Sequence, residues 1–428
     1  MIKKLVLSLV IAQSGFCAFA QNSAISVSEY KERALEYSKQ YKQAEQQRIA
    51  TEAGVKSAKS AFLPQIDAAG SYQYRINKYD MALGGASVPM AHDSYSAEIG
   101  AVQSIYAGGA IYNSYKASQL QNDIAIESQK LTKDNVLYSA DVLYWSTAAR
   151  KEMYEIMTEY VQIIQQTYDL IAERFNDGLI SKTDLLQVSS RLQEAQLQKV
   201  NALKAYQLSL ENFNVLIGNN PSTPITLGDS ITTAVVMPME VGVTSAYSNR
   251  PEMKISDLQI SLADRQVNLA KSKYLPNVAI GFKQTWGTTM INVSGETMWN
   301  SIAYASVQVP IFHWGGRLQN VRAAKAQKIA QELGYQITRD QVTNEVSNAW
   351  TNLQENTRLV DVANNTVNIA QENLDINTFS YAEGRLTILD VLQSQLTWIQ
   401  AYTNLVNSHL QQKVSIADYQ KAVGVNNY

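Results

Sequence analysis

The sequence has few of the side chains that usually carry chemistry. Its 428 residues include one cysteine, Cys17, and three histidines, His92, His313 and His409, which are far apart in the chain. A lone cysteine excludes an intrachain disulfide and a cysteine-based metal site. The chain also lacks the phosphate-binding motif G-x-x-x-x-G-K-[ST], the nucleophile turn G-x-S-x-G and the zinc motif H-E-x-x-H. We therefore expect a protein that is not an enzyme and that has no cofactor and no metal.

Charged side chains are scarce as well. They make up 17% of the residues, with 36 Lys+Arg against 38 Asp+Glu and a net charge of −2. A nucleic-acid-binding protein would carry a basic face, so no nucleic-acid partner is expected. After the N-terminal segment, no run reaches the ~18 apolar residues of a transmembrane helix. With a mean hydropathy of −0.20, the composition does not fit a polytopic helical membrane protein.

The N-terminus has the layout of a secretory signal peptide. Lys3 and Lys4 precede an apolar run over 5–12, and Ala18-Phe19-Ala20 fits a small-x-small cleavage site. The pattern predicts that residues 1–20 are a signal peptide and that the mature chain is exported.

Proline and glycine are missing from two long stretches. All eight prolines lie outside 90–220 and 311–428; glycine is absent from 110–177, and 317–383 contains only Gly334. Because proline ends helices and glycine weakens them, these gaps permit two very long helices. Apolar residues in the first stretch recur at steps of three and four and favour one helical face: Met153, Ile156, Tyr160, Ile164, Tyr168, Ile171 and Phe175. An ordinary coiled coil would show the same stripe.

Landmarks recur in the same order in both halves of the chain. Those of the first half are Ala58-Lys59-Ser60, Leu63-Pro64, Gly108-Gly109, Gly178, Asp184 and Gly218. Their counterparts are Ala270-Lys271-Ser272, Leu275-Pro276, Gly315-Gly316, Gly384, Asp390 and Gly424. This order indicates an internal duplication. Each half is predicted to contain a helix, a β-hairpin, a long helix and a returning helix.

The duplication predicts the following boundaries. The first repeat covers 21–217, with strands at about 65–79 and 94–106, a long helix at about 110–175 and a returning helix at about 183–216. A linker rich in proline, threonine and glycine follows at 218–250. The second repeat covers 251–428, with strands at about 277–287 and 299–310, a long helix at about 315–381 and a returning helix at about 388–422.

The predicted strands alternate in polarity. In the first half the apolar row is Ile66, Ala68, Gly70, Tyr72, Tyr74 and Ile76. In the second half the corresponding row is Val278, Ile280, Phe282, Gln284 and Trp286, in which Gln284 is polar. A transmembrane barrel strand shows this pattern, although a half-buried soluble sheet has the same period. The many Tyr and Trp residues in and beside the strands favour the membrane. Because hydrocarbon does not tolerate open sheet edges, insertion of these four strands into a membrane would force oligomerisation; two, three or four chains would give 8, 12 or 16 strands.

With these features the chain resembles the TolC-like outer-membrane efflux channel family (outer membrane efflux protein). The carrying residues are Val309-Pro310-Ile311-Phe312 before Gly315-Gly316, Arg250-Pro251-Glu252, Phe175-x-x-Gly178 and Tyr381-x-x-Gly384, besides the duplicated Leu-Pro entries. The resemblance implies a mainly α fold with a β-barrel part, in which a trimeric α-helical barrel joins a 12-stranded transmembrane β-barrel.

The resemblance also implies a function and partners. A homotrimer in outer-membrane lipid, extending into the periplasm, would be the passive channel of a tripartite efflux or type I export system. A periplasmic adaptor (membrane fusion) protein and an inner-membrane pump would be its partners. Residues 80–93 and 287–298 would be extracellular loops, and 218–250 with the C-terminal end an equatorial collar. The alternative is a periplasmic coiled-coil adaptor or scaffold without a pore.

The resemblance further implies a gate at the helix turns. Asp184 and Tyr381 would hold the closed state together, and Asp390 would add one carboxylate per chain to a ring that attracts cations. Gln393 stands where the family has a second carboxylate, and Arg385 lies one residue before the family's arginine position.

The same turns have a local interpretation. Ser181-x-x-Asp184 and Thr387-x-x-Asp390 have capping-box spacing. The turn glycines suit left-handed helix ends. By resemblance, Gly178-Leu179 and Gly384-Arg385 would dock the adaptor.

Overall fold

The computed structural model describes residues 24–77, 80–83, 85–89, 92–288 and 296–425. The predicted signal peptide lies outside these described residues, as does most of the predicted loop 287–298. The secondary structure is mainly helical with a small antiparallel sheet.

Eight helices are found in the described residues. They are α1 (Val27–Tyr37), α2 (Lys39–Ser60), α3 (Ala110–Asn176), α4 (Lys182–Leu216), α5 (Val243–Asn249), α6 (Pro251–Ser272), α7 (Gly316–Ala382) and α8 (Ile388–Val423). The two long helices, α3 and α7, have 67 residues each and lie where the chain lacks proline. None of the described helices combines the length and the apolar content that a membrane-spanning helix requires.

Six strands accompany the helices: β1 (Gln65–Tyr74), β2 (Asp80–Leu83), β3 (Ala86–Pro89), β4 (Asp93–Ala107), β5 (Asn277–Thr288) and β6 (Thr297–Gln308). Three features differ from the sequence prediction. β1 ends at Tyr74 rather than near residue 79, the predicted loop 80–93 contains the β2–β3 hairpin, and the predicted linker 218–250 contains α5. These short elements have too few residues for a periodic apolar pattern to reveal them.

Local chemistry explains why the two halves share their boundaries. α2 and α6 both end at a serine, and a Leu-Pro pair follows each of them. Proline has no N–H and disfavours a helical residue before it, so the chain changes to strand immediately afterwards. Pro251 occupies the first turn of α6, where a missing N–H leaves no hydrogen bond unmade.

The chain folds as two compact units, and the first comprises residues up to Tyr37, Ser139–Val236 and Asn356–Val414. Its core contains the buried rings of Tyr30, Tyr144, Phe213 and Trp398. The rings of Tyr30 and Phe213 stack with centroids 3.8 Å apart. The Tyr30 hydroxyl donates to the carbonyl of Phe213, so the polar end of this buried ring is satisfied.

The second unit comprises Ser38–Tyr138, Met237–Glu355 and the residues from Ser415 onwards. Its helical core contains Met253, Val346, Leu353 and Tyr419. Its sheet has the order β1-β4-β5-β6, with every neighbouring pair antiparallel.

Strand register gives the sheet one apolar and one polar face. Tyr72 pairs with Tyr95, Trp286 with Trp299, and Val278 with Val307, all on the same face. On the opposite face Lys283 forms an ion pair with Glu98. Every residue of the edge strands β1 and β6 is exposed.

Candidate gate at the helix turns

The connections α3–α4 and α7–α8 begin with the same backbone turn. Gly178 and Gly384 have φ of 73° and 74°, a left-handed conformation that glycine adopts without steric cost. In the first turn Gly178 N–H donates to Phe175 and Leu179 N–H to Arg174. In the second, Gly384 N–H donates to Tyr381 and Arg385 N–H to Ser380. These bond pairs define a Schellman motif, in which the turn satisfies helix carbonyls that would otherwise lack partners.

Each turn then starts its returning helix with a hydroxyl and a carboxylate that hydrogen-bond to each other. The Ser181 hydroxyl accepts from Asp184 N–H at 3.2 Å and donates to the Asp184 carboxylate at 2.9 Å. The Asp390 carboxylate accepts from Thr387 N–H at 3.0 Å and from the Thr387 hydroxyl at 2.7 Å. These two hydrogen bonds from Thr387 stabilise the ionised form and hold the pKa of Asp390 below its ordinary value. In the first turn the Ser181 hydroxyl is the cap and the Asp184 carboxylate binds that hydroxyl, whereas in the second the Asp390 carboxylate itself accepts a backbone N–H.

A small apolar cluster lies beside the turns. We call it the tip cluster, and its buried members are Ile171, Val188, Tyr381, Ile388, Val391 and Leu392. It contains residues of α3, α4, α7 and α8, so it packs the first helical hairpin against the second. Tyr381 is only 8% exposed, and its ring is part of this cluster rather than of the solvent-exposed surface.

Arg174 contacts Tyr381 from the end of α3. Its guanidinium carbon lies 5.0 Å from the centre of the Tyr381 ring. The two ends of the guanidinium donate to the carbonyls of Tyr381 and Ala382. In the described part of the chain, the Asp184 carboxylate accepts from the Ser181 hydroxyl, and no hydrogen bond joins it to Tyr381. The Asp184–Tyr381 contact that the resemblance implies for the closed state therefore stays a prediction.

The remaining predicted site residues lie on the surface of the turns. Arg385, Asp390 and Gln393 are exposed, and so is the adaptor-docking pair Gly178-Leu179, with Leu179 71% exposed. The described residues contain no group of three or more side chains placed to hold a metal ion.

Two polar contacts near the turns escaped the sequence analysis. One is the contact of Arg174 with the end of α7. The sequence signals Arg174 only as a basic residue in the last turn of a helix. The other is the buried Gln395, which donates to the Thr167 hydroxyl at 2.7 Å. Each joins residues more than 200 positions apart, a separation at which spacing motifs carry no information.

Comparisons with known proteins identify the family. The family model described as "Outer membrane efflux protein" matches residues 31–219 and 243–425, which correspond to the two halves. The outer membrane protein TolC of Escherichia coli is 23% identical over 99% of this chain and 87% of that protein. Nodulation protein T of Rhizobium leguminosarum bv. trifolii is 24% identical over 54% of this chain, and the match spans 50% of that protein.

A solved structure agrees with the fold. The CmeC outer membrane channel of Campylobacter jejuni superposes with a TM-score of 0.82, at 18% identity, over 94% of this chain and 86% of that chain. The duplicated helix and β-hairpin fold is thus confirmed, and the adaptor or scaffold alternative is not favoured. The chain belongs to the outer membrane efflux protein family, which makes it an outer-membrane efflux channel.

Proposed function

We propose that the protein assembles as a homotrimer and serves as the passive outer-membrane conduit of a tripartite efflux or type I export system, without catalytic activity. A periplasmic adaptor and an inner-membrane pump would be its partners, and the pump would supply the energy. The single observation that carries the assembly is a four-stranded sheet with an apolar face and two exposed edge strands.

The open edges of the sheet need hydrogen-bond partners from other chains. β1 and β6 each present a row of unpaired backbone N–H and C=O groups along one edge. In hydrocarbon each unsatisfied group would cost several kcal/mol, so the edges must pair with other chains. Three chains would close a barrel of 12 strands, whose exterior would be the face that contains Trp286 and Trp299.

Exposed apolar stripes on the returning and long helices support self-association as well. On α4 the stripe comprises Leu186, Leu197, Val200, Leu208 and Val215, and on α7 it comprises Val362, Ile369, Ile376 and Phe379. Contiguous apolar surface of this kind marks an interaction site. The α7 members recur mostly at seven-residue steps, as coiled-coil seams do.

We place the gate at the turns. Asp390 is a carboxylate near neutral pH, as an aspartate ordinarily is, and hydrogen bonds from Thr387 lower its pKa further. Three copies around a pore would form a ring that favours cations. Gly178-Leu179 and Gly384-Arg385 are the exposed tips to which an adaptor would dock.

The test is single-channel conductance of the full-length, detergent-purified protein in a planar lipid bilayer, together with chemical cross-linking. We expect a cross-linked trimer and a largely closed, cation-preferring channel. Asp390→Asn should reduce the cation preference several-fold. Asp375→Asn is the matched control, since Asp375 is an exposed carboxylate on α7 that accepts from Gln371. A protein that stays soluble without detergent and never conducts would contradict the proposal.

A further inference from the structure

Arg174 joins the first helix turn to the second. It lies in the last turn of α3, four positions before Gly178. One guanidinium nitrogen donates to the Ala382 carbonyl at 2.9 Å, and the other donates to the Tyr381 carbonyl at 3.5 Å. The guanidinium also lies over the Tyr381 ring, at a distance typical of a cation–π contact. A single side chain from the first half therefore makes three contacts with the second half.

The Ala382 carbonyl needs a donor because it belongs to a helix end. The last carbonyls of an α-helix have no partner within the helix. At the end of α7 the turn satisfies Ser380 and Tyr381, through the N–H groups of Arg385 and Gly384. The Ala382 carbonyl accepts from Arg174 instead. Since the helix dipole also favours a cation at this end, Arg174 completes a helix of the other hairpin.

The contact is specific to one half of the duplication. The turns are related by a shift of 206 residues (384 − 178), which places Ser380 at the position equivalent to Arg174. Serine carries no charge and is too short to span two hairpins. The second half therefore has no arginine at the position equivalent to Arg174.

We propose that Arg174 is a positioning residue of the gate and that its side chain holds the second turn against the first in the closed state. This inference rests on the proposed channel function. It assigns to Arg174 the role that the resemblance gives to a hydrogen bond between Asp184 and Tyr381, because the Asp184 carboxylate accepts from Ser181. Separating the turns would break both Arg174 hydrogen bonds and the ring contact together.

Conductance of the full-length channel in planar bilayers tests the role directly. Arg174→Gln removes the charge and the planar donor fork, and should raise the open fraction about tenfold, the effect of losing one charge-assisted hydrogen bond. Arg174→Lys keeps only the charge, so its open fraction should lie between those of the wild type and Arg174→Gln. Arg191→Gln is the matched control, because Arg191 pairs with Glu194 on its own helix at 2.8 Å. An Arg174→Gln channel that gates like this control would overturn the proposal.

Variants of Tyr381 separate the two possible latches. Tyr381→Phe keeps the ring beneath the guanidinium but removes the hydroxyl, so it should gate like the wild type. Tyr381→Leu removes the ring and should open the channel several-fold. If Tyr381→Phe opened the channel as much as Arg174→Gln does, the tyrosine hydroxyl would be the latch and Arg174 would lose its role.

A second readout does not depend on conduction. Hydrogen exchange of the amides at 382–388 should accelerate about tenfold in Arg174→Gln and not in Arg191→Gln, while both variants keep a similar thermal midpoint. Unchanged exchange and gating in Arg174→Gln, beside a conducting wild type, would overturn the inference alone. A wild type that never conducts would overturn the proposed channel, and the gating role with it.

Discussion

At Gly178 and at Gly384 the chain makes the same turn with different side chains around it. Both glycines have positive φ, both turns contain the same pair of backbone hydrogen bonds, and both continue into a hydroxyl–carboxylate cap. The aromatic residue three positions before each glycine differs in burial. Tyr381 is buried in the tip cluster, whereas its counterpart Phe175 is only half-buried.

The comparison separates local from tertiary requirements. A left-handed residue and an N-cap are needed wherever two helices meet in such a turn, so both halves retain them. The contacts between hairpins carry no such requirement, so Arg174 in one half corresponds to Ser380 in the other. The duplication therefore keeps the backbone of the turn and lets the contacts that join the hairpins diverge.

The largest expected effect comes from removing the two aromatic rings. Tyr381→Ala should destabilise the turn region by about 3 kcal/mol, because a buried ring leaves a cavity. Phe175→Ala should cost about 1 kcal/mol, since its ring is half-exposed and loses less burial. The measurement is hydrogen exchange of the turn amides in the purified channel. Equal losses would show that the second turn depends on its aromatic residue no more than the first.

A smaller and equal effect is expected from the glycines. Gly178→Ala and Gly384→Ala should each cost about 1 kcal/mol, because a Cβ strains a left-handed residue. A Cβ at either position meets no atom within 4 Å, so the cost is one of backbone alone. Asparagine tolerates this conformation, and Gly→Asn should recover part of the loss at both sites. Hydrogen exchange of the turn amides measures the cost at each glycine. A cost confined to one turn would mean that the two turn backbones are not equivalent.

The smallest effect concerns the cap of the second turn as pH changes. Hydrogen bonds from Thr387 depress the pKa of Asp390 in the folded chain. The stabilisation is therefore complete above the carboxyl's ordinary pKa and is lost as pH falls through the lower folded value. Thr387→Val removes the hydroxyl donor and should raise the pKa of Asp390. Carboxyl-carbon NMR of labelled protein would record the titration of Asp390. An unchanged pKa in Thr387→Val would mean that the hydroxyl is not what lowers it.

Sequence reasoning succeeded where the cause is local. The long helices follow from missing proline, the turns from Gly178 and Gly384, and the caps from the spacing of Ser181 to Asp184. The polarity of β1 and β5 was also predictable from alternation. In β6 the register with β5 places Trp299 and Val307 on the apolar face and Ile302 on the face of Lys283, so alternation is weaker in that strand.

The amino-acid sequence by itself determined the order of helices and strands, the duplication and the family, because each depends on short local motifs and on the order in which they follow one another along the chain. Only the tertiary structure decided which side chains meet at the turns. Arg174 and its carbonyl partners are 207 and 208 residues apart, and no periodicity connects positions at that distance. Their meeting depends on how the tip cluster packs four helices together, and that packing is the sum of many weak apolar contacts rather than of one motif.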